Sequence, residues 1–406
     1  MLSILLATLA VAGCSTITRE SLTPCALAQS AAIAEERHTL GAAEAQLKGS
    51  RFVLPSNPGI DLSGAYRQAT RAADPAAWNW YVTLRQEIEI SGQRAARLNA
   101  ATADRDAEQQ TLQITTRQTL ADAWQRYFAV LAAEEELRLV TELTESAKGV
   151  AKSTRASAEK GILSPLDADM ALATLSRFQR SAFAAQRKRF EAKEALASQL
   201  RTTSDALQIS GSLTPLSAPA THARTDTFPE AQRLHLEERA HTARASLARR
   251  LRIPNPTLSF FAQNDGFDER VFGLGLSFPI PLPEPVGRTN AGLIASEVAL
   301  AERSRVQTDA ATRALKAQLG IAQNAFSSRK GEVSIFTPDA LARAHKQLLS
   351  LAEEISGGRL TVREASVAQL SLVEFLLSHI DAELQLCLAS VLLSRAANVA
   401  LEEGPL

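Results

Sequence analysis

The chain repeats itself, and that repetition limits its fold more than any other feature. Leu54-Pro55-Ser56-Asn57-Pro58 returns as Leu251-Arg252-Ile253-Pro254-Asn255-Pro256, an offset of 198 between the asparagines (255 − 57). Gly161-Ile162-Leu163-Ser164-Pro165-Leu166-Asp167 returns as Gly358-Arg359-Leu360-Thr361-Val362-Arg363-Glu364, an offset of 197 (358 − 161). Two motifs recurring at nearly one offset mark a duplicated half, so each half must fold as a similar unit.

Each half opens with strand-like runs, in which side chains alternate with period two. Ile60, Leu62 and Tyr66 oppose Asp61 and Ser63. Trp80, Val82, Leu84, Ile88 and Ile90 oppose Thr83, Arg85, Glu87 and Glu89, with Gln86 on the apolar side. In the second half Leu258, Phe260 and Ala262 oppose Thr257, Ser259 and Gln263. Phe272, Leu274, Leu276 and Phe278 oppose Gly273, Gly275 and Ser277. Polar loops containing Asp74-Pro75 and Asp265-Gly266 join each pair into a hairpin. A sheet with one apolar and one polar face suits the wall of a membrane barrel, and bacterial barrels need about eight strands or more. Four strands per chain therefore require several chains to close one.

A long helix follows each hairpin. The first is expected from Arg94 to about Glu159; the second runs from Gly287 towards Ile355. Pro338 either disturbs that rod or opens a restarted helix. About sixty residues at about 1.5 Å each give a rod of roughly 90 Å, far longer than an ordinary globular helix. The rods turn at Gly161 and Gly357-Gly358, where glycine permits the left-handed conformation that ends a helix. Ser164 is read as an N-cap, Pro165 as the first helical residue and Asp167 as a complement to the helix dipole. Thr361 with Glu364 reads as a capping box. On the returning helix Leu370, Val373, Leu377, Ile380, Leu384, Cys387 and Val391 step by three and four, as do Ala121, Trp124, Phe128 and Leu131 on an outgoing one. Such stripes mark coiled-coil packing. The stretch Gly211 to Pro229, rich in Pro, Ser, Thr and Ala, reads as a linker.

The N-terminus reads as a targeting segment. Leu2 to Val11 is a short apolar run, followed by Val11-Ala12-Gly13-Cys14. Small residues before a cysteine resemble a bacterial lipoprotein signal, with lipid carried on Cys14, although no Lys or Arg precedes the apolar run. Ser15 after the cysteine suggests outer-membrane sorting. Cys25 and Cys387 have no metal-type spacing, and no disulfide between them can be argued.

Composition and motifs exclude other classes. Lys+Arg 44 balances Asp+Glu 44, so no basic footprint for nucleic acid exists. No apolar run reaches the roughly 18 uninterrupted residues of a spanning helix. The six histidines form no HxxxH or HExxH pair. Asp104-x-Asp106 and Asp167-x-Asp169 place their carboxylates on different helix faces, which suits solvated or capping positions better than a metal site. Neither catalytic residues, nor a metal site, nor a cofactor are expected, and an enzyme is not.

Ile253-Pro254-Asn255-Pro256-Thr257-Leu258, Val271 to Leu282, and Gln86-Glu87-Ile88-Glu89-Ile90-Ser91-Gly92-Gln93-Arg94 resemble the TolC-like outer-membrane efflux proteins, most nearly the CzcC-like branch paired with heavy-metal RND pumps. The resemblance implies a mainly α protein with a small membrane β part: a homotrimer whose protomers each give four strands to one twelve-stranded barrel, above a periplasmic barrel of helices. It implies an outer-membrane channel, a passive exit duct for substrates such as divalent heavy-metal cations. A periplasmic adaptor and an inner-membrane pump would be its partners. It also implies that Glu364 constricts the pore, where three copies would raise one another's pKa, beside its role as a cap. Gly161, Ser164, Asp167, Gly358 and Thr361 would meet the adaptor.

The expected organisation is a signal peptide over 1–13 and a first repeat over 14–207, with strands about 57–66 and 78–90 and a helical hairpin about 93–205. A linker over 208–230 leads to a second repeat over 231–406, with strands about 256–263 and 271–279 and a hairpin about 288–400. An outer-membrane factor for organic toxicants or type I secretion is the alternative, and a periplasmic coiled-coil adaptor the rival from another class.

Overall fold

The computed structural model describes residues 14–67, 77–217, 227–264, 269–280, 282, 289–357 and 359–399. The 1–13 signal segment, Asp74-Pro75, Asp265-Gly266, Gly358 and the end of the linker lie outside the described residues. In chain order the elements are β1 (Thr16–Ile17), α1 (Leu22–Gln29), α2 (Ala31–Ser50), β2 (Gly59–Arg67), β3 (Ala77–Glu87), α3 (Gln93–Glu159), α4 (Pro165–Gln199), β4 (Gln208–Ile209), α5 (Pro229–Arg250), β5 (Thr257–Asn264), β6 (Arg270–Ser277), α6 (Ala291–Ser334), α7 (Pro338–Ser356) and α8 (Val362–Ala396). They form two compact units, and each takes a share of both repeats: residues 35–113 with 226–313, and residues 1–34, 114–225 and 314–406.

The first unit holds an antiparallel sheet in the order β2-β3-β5-β6. The period-two pattern fixes its register. Ile60, Leu84, Phe260 and Leu274 lie in one row across all four strands, and Leu62, Val82, Ala262 and Phe272 in the next. Among the described residues nothing covers this face: Leu274 is 76% exposed and Leu62 74%. The row between them carries Asp61, Thr83, Phe261 and Gly273 on the opposite face, where Arg85 pairs with Asp61. The Phe261 ring occupies the space a Cβ at Gly273 would need, so glycine there lets an aromatic lie flat along the polar face. Below the sheet, buried Gln93 donates to Asn255 Oδ1 (2.7 Å), and Asn255 donates to Glu87 Oε1 (2.7 Å). This chain of amides fastens the start of α3 to the entrance of β5.

α2 and α5, which the periodicity did not announce, precede the two hairpins at the repeat offset of 198 (229 − 31). The buried face of α5 is mostly alanine, with Ala231, Ala240, Ala245 and Ala248 beside Leu234, so little apolar stripe shows in the sequence.

The second unit is helical. Trp124, Tyr127 and Phe128 of α3 pack with Leu196 of α4, Cys387 and Val391 of α8, and Ile17, Leu22 and Cys25 of the N-terminal segment. α8 is long and apolar enough by composition to cross a membrane, and half of that stretch is buried among these helices. Much of the expected linker is held down. β4 pairs in parallel with β1, Tyr127 Oη donates to the Ser210 carbonyl (2.9 Å), and Leu216 N donates to Ser390 Oγ (2.9 Å).

The second outgoing rod is not continuous. It stops at Ser334 and restarts as α7, with Thr337 as N-cap (its Oγ1 accepts from Ala340 N at 3.3 Å) and Pro338 in the first turn. Phe336, in the gap, packs on Phe375 (5.2 Å) and His379 (5.3 Å) of α8. The two outgoing paths begin 198 residues apart (291 − 93) and end 197 apart (356 − 159). Losing one residue from an unbroken helix would turn everything beyond it by about 100°. The break lets α7 resume with its own face towards α8.

Candidate functional site

Both helical turns sit at one end of the second unit. Val150 of α3, Ala171 of α4 and Val362 of α8 are buried together, with Leu163, Ala352 and Ile355 packed around them. The structure thus brings together two turns that are 197 residues apart (358 − 161) in the sequence.

At the first turn Gly161 has φ +74, a conformation that side chains disfavour. Its N–H donates to the Ala158 carbonyl and that of Ile162 to Ser157 (both 2.9 Å), which satisfies the open end of α3. Ser164 Oγ then accepts from Leu166 N (3.2 Å), and the Asp167 carboxylate accepts from Ser164 N (3.2 Å). Asp167 therefore closes a full capping box, beyond its expected action on the helix dipole.

At the second turn Gly357 has φ −80, so the expected left-handed conformation is not at this residue. Arg359 N donates to the Glu354 carbonyl (3.0 Å), and the Arg359 guanidinium pairs with the Glu354 carboxylate (2.8 Å). Thr361 Oγ1 accepts from Glu364 N (3.2 Å), while Glu364 Oε2 accepts from Thr361 N (3.0 Å) and Oγ1 (2.8 Å). The backbone hydrogen bond from Thr361, and then its hydroxyl, hold the Glu364 carboxyl below the ordinary glutamate value. Within one chain Glu364 acts as an ionised cap. Val367, at the next turn of α8, is exposed.

Other residues fall elsewhere. Cys14 is bonded to Cys25, a pairing the spacing did not suggest, and Cys387 is free and buried. Burial pushes the Cys387 thiol up to about 12, which keeps it protonated and inert. Asp104 is an anchor: Arg244 of α5 donates to both its oxygens at 2.6 Å. One turn away on α5, His241 lies 2.8 Å from Glu297 of α6. Sequence reasoning missed these ties and the Gln93–Asn255–Glu87 chain, although the repeated Asn-Pro motif had marked Asn255. Among the described residues no cluster of three or more His, Cys, Asp or Glu is arranged to hold a metal.

Residues 22–200 match the profile of the family described as Outer membrane efflux protein. Over 295 residues the chain is 24% identical to the cobalt-zinc-cadmium resistance protein CzcC of Cupriavidus metallidurans, covering 71% of this chain and 69% of that protein. The outer membrane protein VceC of Vibrio cholerae superposes with a TM-score of 0.78 at 16% identity, over 94% of this chain and 96% of VceC. CusC, a structure described for its transmembrane channel formation, gives 0.77 at 14% identity, over 94% and 92%. The structural likeness spans both repeats and shows a TolC-like fold. The chain is thus similar in part of its sequence to the outer membrane efflux proteins and in its fold to their solved channels.

Proposed function

We propose that this relative of the outer membrane efflux proteins is the outer-membrane duct of a tripartite efflux system. The observation that carries the reading is the sheet, with a largely apolar face open to its surroundings and two edge strands, β2 and β6, that have no strand partner among the described residues. An open four-stranded sheet of this kind is stable in lipid only when its edges are paired. Three copies would give twelve strands, the number the family resemblance implies. The helices then form the periplasmic tunnel, and the adaptor would dock at the turns, on Gly161, Ser164, Asp167 and Thr361 and on the Gly358 that the sequence adds to them. Transport is passive in this chain, and the inner-membrane pump supplies the energy. The likeness to CzcC favours divalent heavy-metal cations as cargo. Glu364 would line the narrow end, residues 1–13 would be a removed signal, and Cys14 would carry lipid.

Leu274→Arg puts a charge in the middle of the apolar face. It is expected to destabilise the inserted barrel by about 2–4 kcal/mol and to abolish conductance in planar bilayers. A variant that inserts and conducts like the wild type overturns the wall assignment.

A further inference from the structure

Cys14 and Cys25 form a disulfide, with their Cα atoms 6.0 Å apart. Cys14 is also the residue proposed above to carry lipid, and the inference rests on that reading. One sulfur cannot serve both purposes, because a lipid anchor needs the same Sγ in a thioether. Packing widens the conflict beyond one bond. Cys14 is only 6% exposed, buried with Ile17, Leu22 and Cys25 against Trp124 and Leu131. Two residues on, Thr16 pairs with Gln208 and Ile17 with Ile209. Arg19 donates to the carbonyls of Thr214 (2.9 Å) and Pro215 (3.2 Å), with its guanidinium 5.7 Å from the centre of the Trp124 ring. Two residues reach only about 7 Å. Acyl chains on Cys14 could therefore not leave this core without pulling β1 off β4.

We propose that Cys25 sets the fate of Cys14: oxidation of the Cys14–Cys25 pair and lipidation of Cys14 compete and exclude each other. In the oxidised branch the two thiols lose two protons and two electrons to a protein disulfide of the periplasm, which is reduced to a dithiol by exchange. An oxidising compartment permits this. In the lipid branch the Cys14 thiolate attacks a glyceryl carbon of a glycerophospholipid. A C–S bond forms, the C–O bond to phosphate breaks, and the phosphate headgroup leaves with its electron pair. Cys25 then stays a thiol, and the 14–19 segment is released from the helices. The buried Cys387 takes part in neither branch.

The test compares full-length wild type with Cys25→Ala, which keeps an apolar group at the buried site. Both are extracted from cells into a thiol-alkylating reagent, and intact masses are read before and after reduction. Wild type is expected in two populations: lipid-bearing chains alkylated at Cys25, and lipid-free chains in which Cys14 and Cys25 react only after reduction. Cys25→Ala is expected to raise the lipid-bearing share at least twofold. An unchanged share in the variant overturns the competition and leaves the lipid reading standing. Lipid-free wild-type chains alkylated at both cysteines without reduction overturn the disulfide branch. No lipid in either protein overturns the lipid reading itself, and the competition with it.

Discussion

The two returning helices match in length and place but not in what covers them. α4 and α8 are both 35 residues long and stand 197 apart (362 − 165) from end to end. The same four positions make a three-and-four stripe in each. In α8 these are Leu377, Ile380, Leu384 and Cys387, packed into the helical core, with Cys387 fully buried. In α4 they are Arg180, Phe183, Arg187 and Phe190, all exposed, with Phe183 at 72%. Duplication has kept the helix geometry and reassigned the solvent exposure. The second half satisfies its stripe inside the chain. The first half presents phenylalanines at coiled-coil spacing to the outside, which calls for another surface. In the proposed trimer a neighbouring subunit supplies it.

The largest test of this contrast places the same charge on both stripes. Ile380→Asp removes packed aliphatic volume and leaves a buried carboxylate unpaired, at an expected cost of about 4 kcal/mol or more. Phe183→Asp is expected to leave the fold of the chain within about 0.5 kcal/mol and to lower the cross-linked trimer share. Denaturant unfolding in detergent reads the first effect and cross-linking the second. Equal destabilisation by both variants would erase the difference between the helices. A smaller test uses the two caps. Thr361→Ala and Ser164→Ala should each cost about 1 kcal/mol, the former more. Val362, the residue after the first cap, is buried, whereas Pro165, the residue after the second, is exposed. Hydrogen exchange in the first turn of each helix measures the order, and a reversed order would show that burial at the turn does not set the cost.

The sequence made visible what rests on strict periods and on fixed caps. The apolar rows of β2 to β6 alternate with few polar intruders such as Gln86, and α3 begins and ends within a residue of its expected bounds because Gly92 and Gly161 punctuate it. α5 stayed hidden because alanine buries well and signals weakly. The break at Phe336 rests on a one-residue difference in repeat offset, visible only when the two halves are aligned along their whole length. The Gln93–Asn255 and Asp104–Arg244 ties join residues more than a hundred positions apart. Polar pairs of that separation carry no period. At the turns, the N-cap at Ser164 and the box at Thr361 were legible because their partners lie within three residues, whereas the return bond of Asp167 to Ser164 was not read. The gate role proposed for Glu364 depends on other copies of the chain and could come only from the family resemblance.

Glu364 gives the smallest and sharpest test, because its two proposed roles move its titration in opposite directions. As a cap it accepts from Thr361 N and Oγ1, and these bonds hold its folded pKa below the ordinary value. A depressed folded pKa means the cap stabilises α8 above the unfolded value of about 4.3. That contribution is lost as pH falls through the lower, folded value. As a gate, three copies meet near one axis, and mutual repulsion raises the pKa of at least one. Carboxyl NMR of labelled glutamate, assigned with Glu364→Gln, follows the group in the assembled protein and in the monomeric fraction of Phe183→Asp. The monomer is expected to titrate below the usual glutamate range. In the trimer, a midpoint raised above that of the monomer supports convergence of the three carboxylates. Equal midpoints in the two states would leave Glu364 a cap alone and move the search for the constriction to other residues of the turns.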